Sequence, residues 1–317
     1  MTNPFSNRVY GFVLVRARNS NYNADFTHQP RTLPSGIVYA TDKAFKFAVK
    51  HYLTKEYPEE KLLYIKRLKG DFIPMSLEES YSYLFPDDQK KDKKDVVAKN
   101  ILSCLDVRAF GATFAMKSKK NKNVAISIHG PVQVNHGVNI WPENNIFTEQ
   151  ISSPFRNPDE RSEEKEATTL GRQSKLEEGH YLHHFSINPK NLDPVLQAAG
   201  EGATPLQEAD IQKLKEAFRL GVSYYDSAQK AGTDNEVLLW VKLKADSKRV
   251  LPNFTHLVDL HKANGTLVVD CQRLGEVLTK NEDQIEVIEV YYLPEETTVK
   301  GLPEMAQHFN LTNGQQI

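Results

Sequence analysis

The chain has 317 residues, of which 39% are hydrophobic and 26% are charged, and its formal net charge is −1. This composition is typical of a globular protein of about two domains and excludes collagen-like or low-complexity architectures. We find no apolar stretch near the roughly 20 residues of a membrane span, so we expect no contact with a membrane. The N-terminus has no signal-peptide pattern, and the two cysteines, Cys104 and Cys271, are far apart, so we expect reduced thiols in a cytoplasmic protein.

The charges are unevenly distributed along the chain. Residues 1–130 contain 22 Lys and Arg against 13 Asp and Glu, whereas residues 131–317 contain 18 against 28. A basic half predicts a surface for a polyanion, and halves of opposite sign favour head-to-tail association between copies. Chance asymmetry is the alternative interpretation.

The first elements in the chain are a strand and a helix. Residues 8–17 are β-branched and aromatic, which predicts a buried strand, and an Asn- and Pro-rich loop follows at 19–35. Thr41 or Asp42 then caps a predicted helix that continues to about Thr54.

The middle of the chain alternates predicted strands with long polar segments. Residues 62–67 predict a short strand, and residues 71–100 predict a charged, inserted subdomain. Two strands are predicted at 107–115 and 124–134, joined by a basic turn. Residues 139–175 have the composition of a long irregular segment.

The second half completes an α+β pattern. Strands are predicted at 180–188, 236–244 and 285–293, and an amphipathic helix is predicted at 206–229. The order strand, helix, strands, helix, strand is that of a ferredoxin-like split βαβ unit, the architecture of RNA-recognition modules.

Three glycine-bearing motifs in the middle third combine flexible backbone with hydrogen-bond donors: Asp106–Gly111, His129–Gln133 and Thr168–Gln173. None carries a nucleophile with its base or a pair of catalytic acids, so the motifs predict binding of a polyanion. Arg108 and Phe110 would share one face of the predicted strand, where they suit phosphate pairing and base stacking. Burial of Phe110 in the core is the alternative.

Other candidate donors lie outside that strand. Gln133 follows a sharp bend and could donate to sugar or phosphate, and Gly171 with Arg172 could approach a phosphate closely. In the first half of the chain, lysines on one helix face and donors in the loop after the first strand could grip a backbone, although a solvated helix face and a plain polar loop are the alternatives. These residues are Arg18, Asn19, Asn23, Lys43, Lys46 and Lys50.

Metal and catalytic chemistry have weaker support in the sequence. His180, His183 and His184 would point to opposite faces of a strand, which does not bring three ligands to one ion. Asp25 and Asp106 could in principle bind Mg²⁺, but neither has an acidic neighbour in sequence. We therefore expect no metal and no cofactor.

Taken in order, the motifs resemble the Cas7 backbone subunit of the type I CRISPR effector complex, Cascade, and most closely its type I-B branch. The residues that carry the resemblance are Asp106–Ala112, Gly130–Gln133, Thr169–Arg172, Gly179–Tyr181 and Ile187–Pro189.

The resemblance implies a palm with an RNA-recognition-like fold, a helical insertion called fingers and a β-hairpin thumb. On this sequence the palm would comprise 1–54, 106–138 and 176–317, the last with additional C-terminal strands, the fingers 55–105 and the thumb 139–175. The RNA-binding residues it implies are Arg18, Asn19, Asn23, Thr41, Lys43, Lys46, Lys50, Arg108, Phe110, Gln133, Phe147, Gly171 and Arg172. The candidate thumb residues that displace a guide nucleotide are Trp141, Ile146 and Phe147.

The function implied is a non-catalytic scaffold in antiviral defence. Copies would stack head to tail along one CRISPR RNA, contact other Cascade subunits and present the guide for pairing with target DNA. The alternative is a metal-dependent ribonuclease that cuts target RNA with Asp25. A stand-alone RNA-binding protein that does not polymerise is a third hypothesis.

Overall fold

The computed structural model describes residues 3–88, 93–117, 123–156 and 167–317. The helices are α1 (Asp42–Glu56), α2 (Leu77–Leu84), α3 (Lys94–Leu102), α4 (Leu105–Phe110), α5 (Asp193–Ala199), α6 (Glu208–Tyr224) and α7 (Gln272–Thr279). The strands are β1 (Val9–Ser20), β2 (Tyr39–Ala40), β3 (Gly111–Lys117), β4 (Asn123–His129), β5 (Val132–Val134), β6 (Gly137–Asn139), β7 (Ile146–Arg156), β8 (Ala167–Ile187), β9 (Thr233–Leu243), β10 (Asp259–Ala263), β11 (Thr266–Asp270), β12 (Ile285–Tyr292), β13 (Thr297–Lys300) and β14 (Ala306–Asn310).

The largest sheet has the strand order β14-β12-β9-β1-β8-β6-β2, with β5 and β7 also paired to β8. β1 is antiparallel to both of its neighbours, β8 and β9. Its sequence is apolar at almost every position from Val9 to Val15, and these residues are buried. A strand that is apolar on both faces belongs in the centre of a sheet that is covered on both sides.

Two cores cover the two faces of this sheet. Val13 and Val15 of β1 pack into the first core, with the apolar sides of α1 and α6. Phe12 and Leu14 point the other way into a second core, formed with α7 and the small sheet β10-β11-β13. The period-two alternation of β1 therefore divides its side chains between two apolar layers.

The segment between α1 and β5 adds to the first core. Tyr81 of α2, Val97 and Ile101 of α3 and Phe114 of β3 are buried there. Ser76 begins α2 with a capping box, in which backbone and side chain are bonded reciprocally with the third helical residue.

A long hairpin extends from the sheet. β8 pairs with β1 from Leu176 to Ile187, whereas its earlier part pairs with β7, from Ile146 opposite Leu176 to Arg156 opposite Ala167. About ten residues of β8 therefore extend beyond the end of β1, a length of roughly 30 Å.

The predicted α+β class is confirmed, and so are the first strand, the helix capped by Thr41, the second amphipathic helix and the strands that became β8, β9 and β12. Other predictions were wrong. Residues 62–67 form a bend with irregular backbone on either side and not a strand. Residues 139–175, predicted as irregular, include β7 and the first part of β8.

The predicted strand 107–115 was also wrong in its first half. Residues Leu105–Phe110 form helix α4, and β3 begins only at Gly111, whose φ of +78° ends the helix. The short sequence has no strong preference, so tertiary contacts of Asp106 and Arg108 decide its conformation. The basic turn predicted at 117–122 lies, beyond residue 117, outside the described residues. In the part of the chain that is described, no helix is long and apolar enough to cross a membrane.

Candidate nucleic-acid interface

A cleft of about 640 Å³ lies between α1, the segment 62–77 and the start of β3. Four of the predicted site residues line it: Lys43, Lys46, Lys50 and Phe110. The structure thus brings together the lysine-bearing face of α1 and the aromatic ring at the end of α4, although they are 60 residues apart in sequence.

The three lysines differ in their freedom to bind a ligand. The Lys43 side chain is 86% exposed, and its Nζ is 4.0 Å from a carboxylate oxygen of Asp42. Lys46 Nζ lies 3.1 Å from the other oxygen of Asp42 and 5.6 Å from the Phe110 ring centroid. Lys50 Nζ donates to the Tyr64 carbonyl oxygen at 2.7 Å. Lys43 is therefore the most available cation, and Lys50 contributes to the wall of the cleft.

Burial also distinguishes Lys50 from the exposed Lys43. Desolvation lowers the pKa of Lys50, with a smaller effect of Lys46 in the same direction, and the nearby Asp106 opposes both. A lysine that is bonded to backbone and poorly hydrated costs more to reorganise towards a phosphate than an exposed one.

Asp106 forms the floor of the cleft. Its two oxygens accept hydrogen bonds from the backbone N–H groups of Leu63 at 2.8 Å and Tyr64 at 2.7 Å. Burial raises the pKa of Asp106, although these hydrogen bonds and Lys50 favour its charged form. The carboxylate thus holds the segment 62–67, which was expected to be a strand. Its contacts support this structural role rather than Mg²⁺ binding.

The loop after β1 is tied to the start of α1. Asn23 Oδ1 accepts hydrogen bonds from both the backbone N–H and the hydroxyl of Thr41, at 3.0 and 2.9 Å. The Thr41 hydroxyl oxygen in turn accepts from the Ala44 N–H and caps α1. Asn19 has a φ of +46°, and the half-exposed Arg18 lies 3.5 Å from Glu178. These predicted residues therefore lie at one end of β1, beside the first turn of α1.

The hairpin β7–β8 begins at the same place. Leu176 pairs with both Ser20 and Ile146, and Asn21 Nδ2 donates to the Ser174 carbonyl oxygen at 3.0 Å. Phe147, opposite Lys175, is half-buried on this hairpin. Gly171 and the exposed Arg172 lie further along its second strand.

The other candidates for nucleotide displacement differ in position. Ile146 is 38% exposed at the root of the hairpin. Trp141 precedes the hairpin and packs between the ring of His180, 5.1 Å away, and Lys262 Nζ, 4.8 Å away. Trp141 is therefore held by contacts within the chain.

Gln133 lies apart from the other candidates. In the sheet Gln133 pairs with Ser186, whereas Arg18 pairs with Glu178, which lies eight residues earlier on β8. Eight residues of strand separate the two positions by roughly 26 Å. Gln133 Nε2 donates to the Gly130 carbonyl oxygen at 2.8 Å, which stabilises the local bend.

Arg108 occupies a buried ion pair and does not lie on a strand face. Its guanidinium donates to the two carboxylate oxygens of Asp210 at 2.7 and 2.8 Å, to Glu60 at 3.2 Å and to the Ser103 carbonyl oxygen at 2.7 Å. Burial lowers the pKa of Arg108, but the two carboxylates outweigh this effect and raise it. The interpretation of Arg108 and Phe110 as neighbours on one strand was therefore wrong, because α4 and α6 use the guanidinium as a structural link.

The histidines point as the strand pattern predicted. His183 stacks on Phe45 in the first core, and His184 packs against Phe254 in the second. His180 Nδ1 lies 2.6 Å from the buried carboxylate of Glu236. Among the described residues, no group of three or more His, Cys, Asp or Glu side chains could hold a metal ion.

Asp25, the residue of the ribonuclease hypothesis, lies in the loop after β1. Its Oδ1 accepts hydrogen bonds from the N–H and hydroxyl of Thr27 and from the Gln29 N–H, at 2.7–3.0 Å. The Thr27 hydroxyl first, and then the backbone donors and Arg31, lower the pKa of Asp25. These contacts describe a local turn with an ionised carboxylate.

Sequence reasoning missed Tyr64 and Lys230. Tyr64 builds the cleft with Asp106, whose bond to the Tyr64 backbone was not foreseen, and Lys230 Nζ donates to the Tyr22 carbonyl oxygen beside the loop after β1. Lys230 comes from a segment 200 residues later, so only a long-range contact reveals it. Phe47 also lines the cleft, one helical turn after Lys43, and that spacing was visible in the sequence.

Comparisons with known proteins agree with this architecture. Residues 7–283 match the sequence profile of the family described as CRISPR-associated protein Cas7. A chain of a CRISPR RNA-guided surveillance complex, pre-nicking, superimposes with a TM-score of 0.55 at 12% identity, over 96% of both chains. A chain of another CRISPR RNA-guided surveillance complex gives a TM-score of 0.47 at 15% identity, over 94% of both chains. No curated protein sequence matches this one.

Proposed function

Because the chain belongs to the CRISPR-associated protein Cas7 family, we propose that it binds CRISPR RNA as a backbone subunit of a type I surveillance complex similar to type I-B. Copies stack head to tail on the guide, contact the other Cascade subunits and hold the guide for pairing with target DNA. Sequence discrimination then comes from base pairing, and the protein contributes contacts to the backbone.

The observation that carries this proposal is the convergence of donors at one end of β1. The capped start of α1, the loop held by Asn23 and the root of the hairpin β7–β8 meet beside the cleft that contains Lys43 and Lys46. The exposed ammonium group of Lys43, together with Lys46 and the loop donors next to an aromatic ring, suits the phosphates and bases of a single strand.

The fold supports a division into palm, fingers and thumb. The strands β9-β1-β8-β6 are mutually antiparallel neighbours, and α1 and α6 pack on the same face. This is the strand order expected of a split βαβ palm. In this proposal the helices α2 and α3 belong to the fingers, and the hairpin β7–β8 is the thumb.

We further propose that the subunit is not an enzyme and that Asp25 serves the loop turn. The competing ribonuclease is tested by incubating the guide-loaded complex with complementary RNA and Mg²⁺. Cleavage at regular spacing that disappears in Asp25→Ala would replace the scaffold by a nuclease.

RNA binding is tested with Lys43→Gln and Lys46→Gln, measured on a fluorescein-labelled single-stranded RNA over a series of salt concentrations. Each lost phosphate contact should weaken binding and reduce the slope of log K against log salt by about 0.7. Lys280→Gln is the matched control, because this exposed lysine ends α7 on the other side of the sheet. Equal slopes for wild type and for the two α1 variants would contradict the assignment.

Polymerisation is tested separately by sizing the protein with its RNA. Particles that grow with RNA length support a backbone subunit. A monomer on long RNA would favour a stand-alone RNA-binding protein.

A further inference from the structure

A cluster of four aromatic rings, two exposed and two half-buried, lies at the outer side of α1 and the end of α6. Phe47 and Tyr224 are the exposed pair, His51 and Tyr225 are the half-buried pair, and the four are here called the aromatic platform. The Phe47 and His51 ring centroids both lie close to that of Tyr225, at 5.0 and 4.8 Å. Phe47 and His51 are within 21° of parallel, with 6.3 Å between their centroids. The four rings therefore form one continuous surface.

Tyr225 of the platform packs against the first core, whereas Phe47 and Tyr224 face outward. The inward residues of α1, such as Phe45 and Val49, are fully buried, whereas Phe47 is 43% exposed and Tyr224 is 40% exposed. Phe47 and His51 are four residues apart, so they lie one above the other on the opposite side of the helix. Covering a large ring that is exposed to water with a flat apolar ligand lowers the free energy of the complex.

Cations lie around the platform at several points. Lys43 is one helical turn before Phe47, and the exposed Lys55 is one turn after His51. On the far side, Lys230 Nζ lies 5.9 Å from the Tyr225 ring centroid.

The nearby carboxylates are largely engaged by tyrosine hydroxyls. The Tyr224 hydroxyl donates to Glu56 at 2.6 Å, and the Tyr52 hydroxyl donates to Glu216. Burial, and then Lys55, lower the pKa of His51, which favours its neutral ring. The surface combines aromatic rings with Lys43 and Lys55 at two of its edges and with the Glu56 carboxylate bonded to Tyr224.

We propose that the aromatic platform stacks a base of the guide RNA, with Lys43 and Lys55 on the flanking phosphates. Continuity with the proposed guide site identifies the ligand, because Phe47 also lines the cleft with Lys43 and Lys46. A protein partner would need an apolar surface of its own but would not need cations at the edges. This inference rests on the proposed function and adds a base contact to the backbone contacts.

The test uses the full chain and a single-stranded RNA that contains 2-aminopurine, whose fluorescence falls when it stacks. Phe47→Ala should weaken binding about five- to hundred-fold, the range for loss of one base-stacking ring, and should reduce the quenching. Phe47→Tyr should restore both. The slope of log K against log salt should stay at the wild-type value, because no charge is removed.

Tyr83→Ala is the matched control, since Tyr83 is a 64% exposed aromatic residue on α2, away from the platform. Wild-type affinity and quenching in Phe47→Ala would overturn the proposal while leaving the lysine assignment intact. Loss of self-association with unchanged RNA affinity would assign the platform to a contact between copies and would also overturn it. If the wild-type chain itself binds no RNA, the proposed function and this inference both fall.

Discussion

Replacing Arg108 by methionine separates two roles that the sequence could not distinguish, phosphate binding and internal support. The guanidinium is 6% exposed and donates four hydrogen bonds, two of them to Asp210. Methionine keeps much of the apolar volume but removes every donor. Among the described residues, Asp210, itself 3% exposed, then retains the backbone N–H of Gln207 as its one hydrogen-bond donor.

Removal of one partner from a buried ion pair costs about 3–5 kcal/mol, because the remaining charge is left without compensation. For a chain of 317 residues, with an unfolding entropy of about 2.1 cal/mol/K per residue, we expect a fall in the melting temperature of roughly 4–8 °C. Asp210 also caps α6 through Gln207, so a double variant with Asp210→Asn keeps a cap acceptor while removing the orphaned charge. That second change should recover part of the loss.

Circular dichroism during thermal and urea unfolding measures the effect. Arg273→Met is the control, because Arg273 pairs with Asp259 on the surface, where both side chains are more than half exposed. Such a pair contributes about 0–1 kcal/mol. An Arg108→Met protein with wild-type stability and weakened RNA binding would refute the structural role and restore the phosphate-binding interpretation.

Gly11→Ala should destabilise the chain by about 3 kcal/mol or more in urea unfolding, because the added Cβ would lie 2.1 Å from a carbonyl oxygen of β9. Gly70→Ala is the control, since its Cβ meets open space and stability should stay nearly unchanged. Equal effects of the two substitutions would contradict this prediction. Burial lowers the pKa of His183 from 6.5 to about 4, so its contribution is fully present above pH 6.5 and is lost as the pH falls towards 4. Unfolding free energy should therefore decrease by about 1.4 kcal/mol per pH unit from this residue, and a His183→Gln protein that keeps the same pH slope would exclude it as the source. Burial raises the pKa of Cys104 and Cys271 to about 12, so both thiols should react with a disulfide reagent only after unfolding, and rapid labelling of the native protein would show otherwise.

The elements that the sequence predicted well are those whose pattern is local. β1 is apolar at consecutive positions, and α1 has a capping threonine and a helical repeat of buried residues. Hydrophobic spacing predicts the strand, and hydrophobic spacing with one cap predicts the helix, because these signals do not depend on distant residues.

The elements that failed depend on distant partners. Asp106 holds Leu63 and Tyr64 by their backbone, and Arg108 reaches Asp210, more than 100 residues away. The short run Leu105–Phe110 has no strong preference of its own, so these contacts determine its conformation, and a segment predicted as a strand is a helix. Pattern reasoning missed the hairpin β7–β8 for the opposite reason, since its polar sequence has little alternation and its pairing comes from β8 continuing beyond β1. The family resemblance, by contrast, implied a β-hairpin in this segment.

The candidate site divides in the same way. Lys43 and Lys46 lie on a local helix that Thr41 caps, and both lysines line the cleft. Arg108 was chosen because arginine suits phosphate, yet the same fork of donors suits a buried carboxylate equally well. Residue type therefore identified the chemistry, whereas burial decides which ligand that chemistry can serve. Lys43 is exposed and can reach a phosphate, and the buried Arg108 is already bound to Asp210.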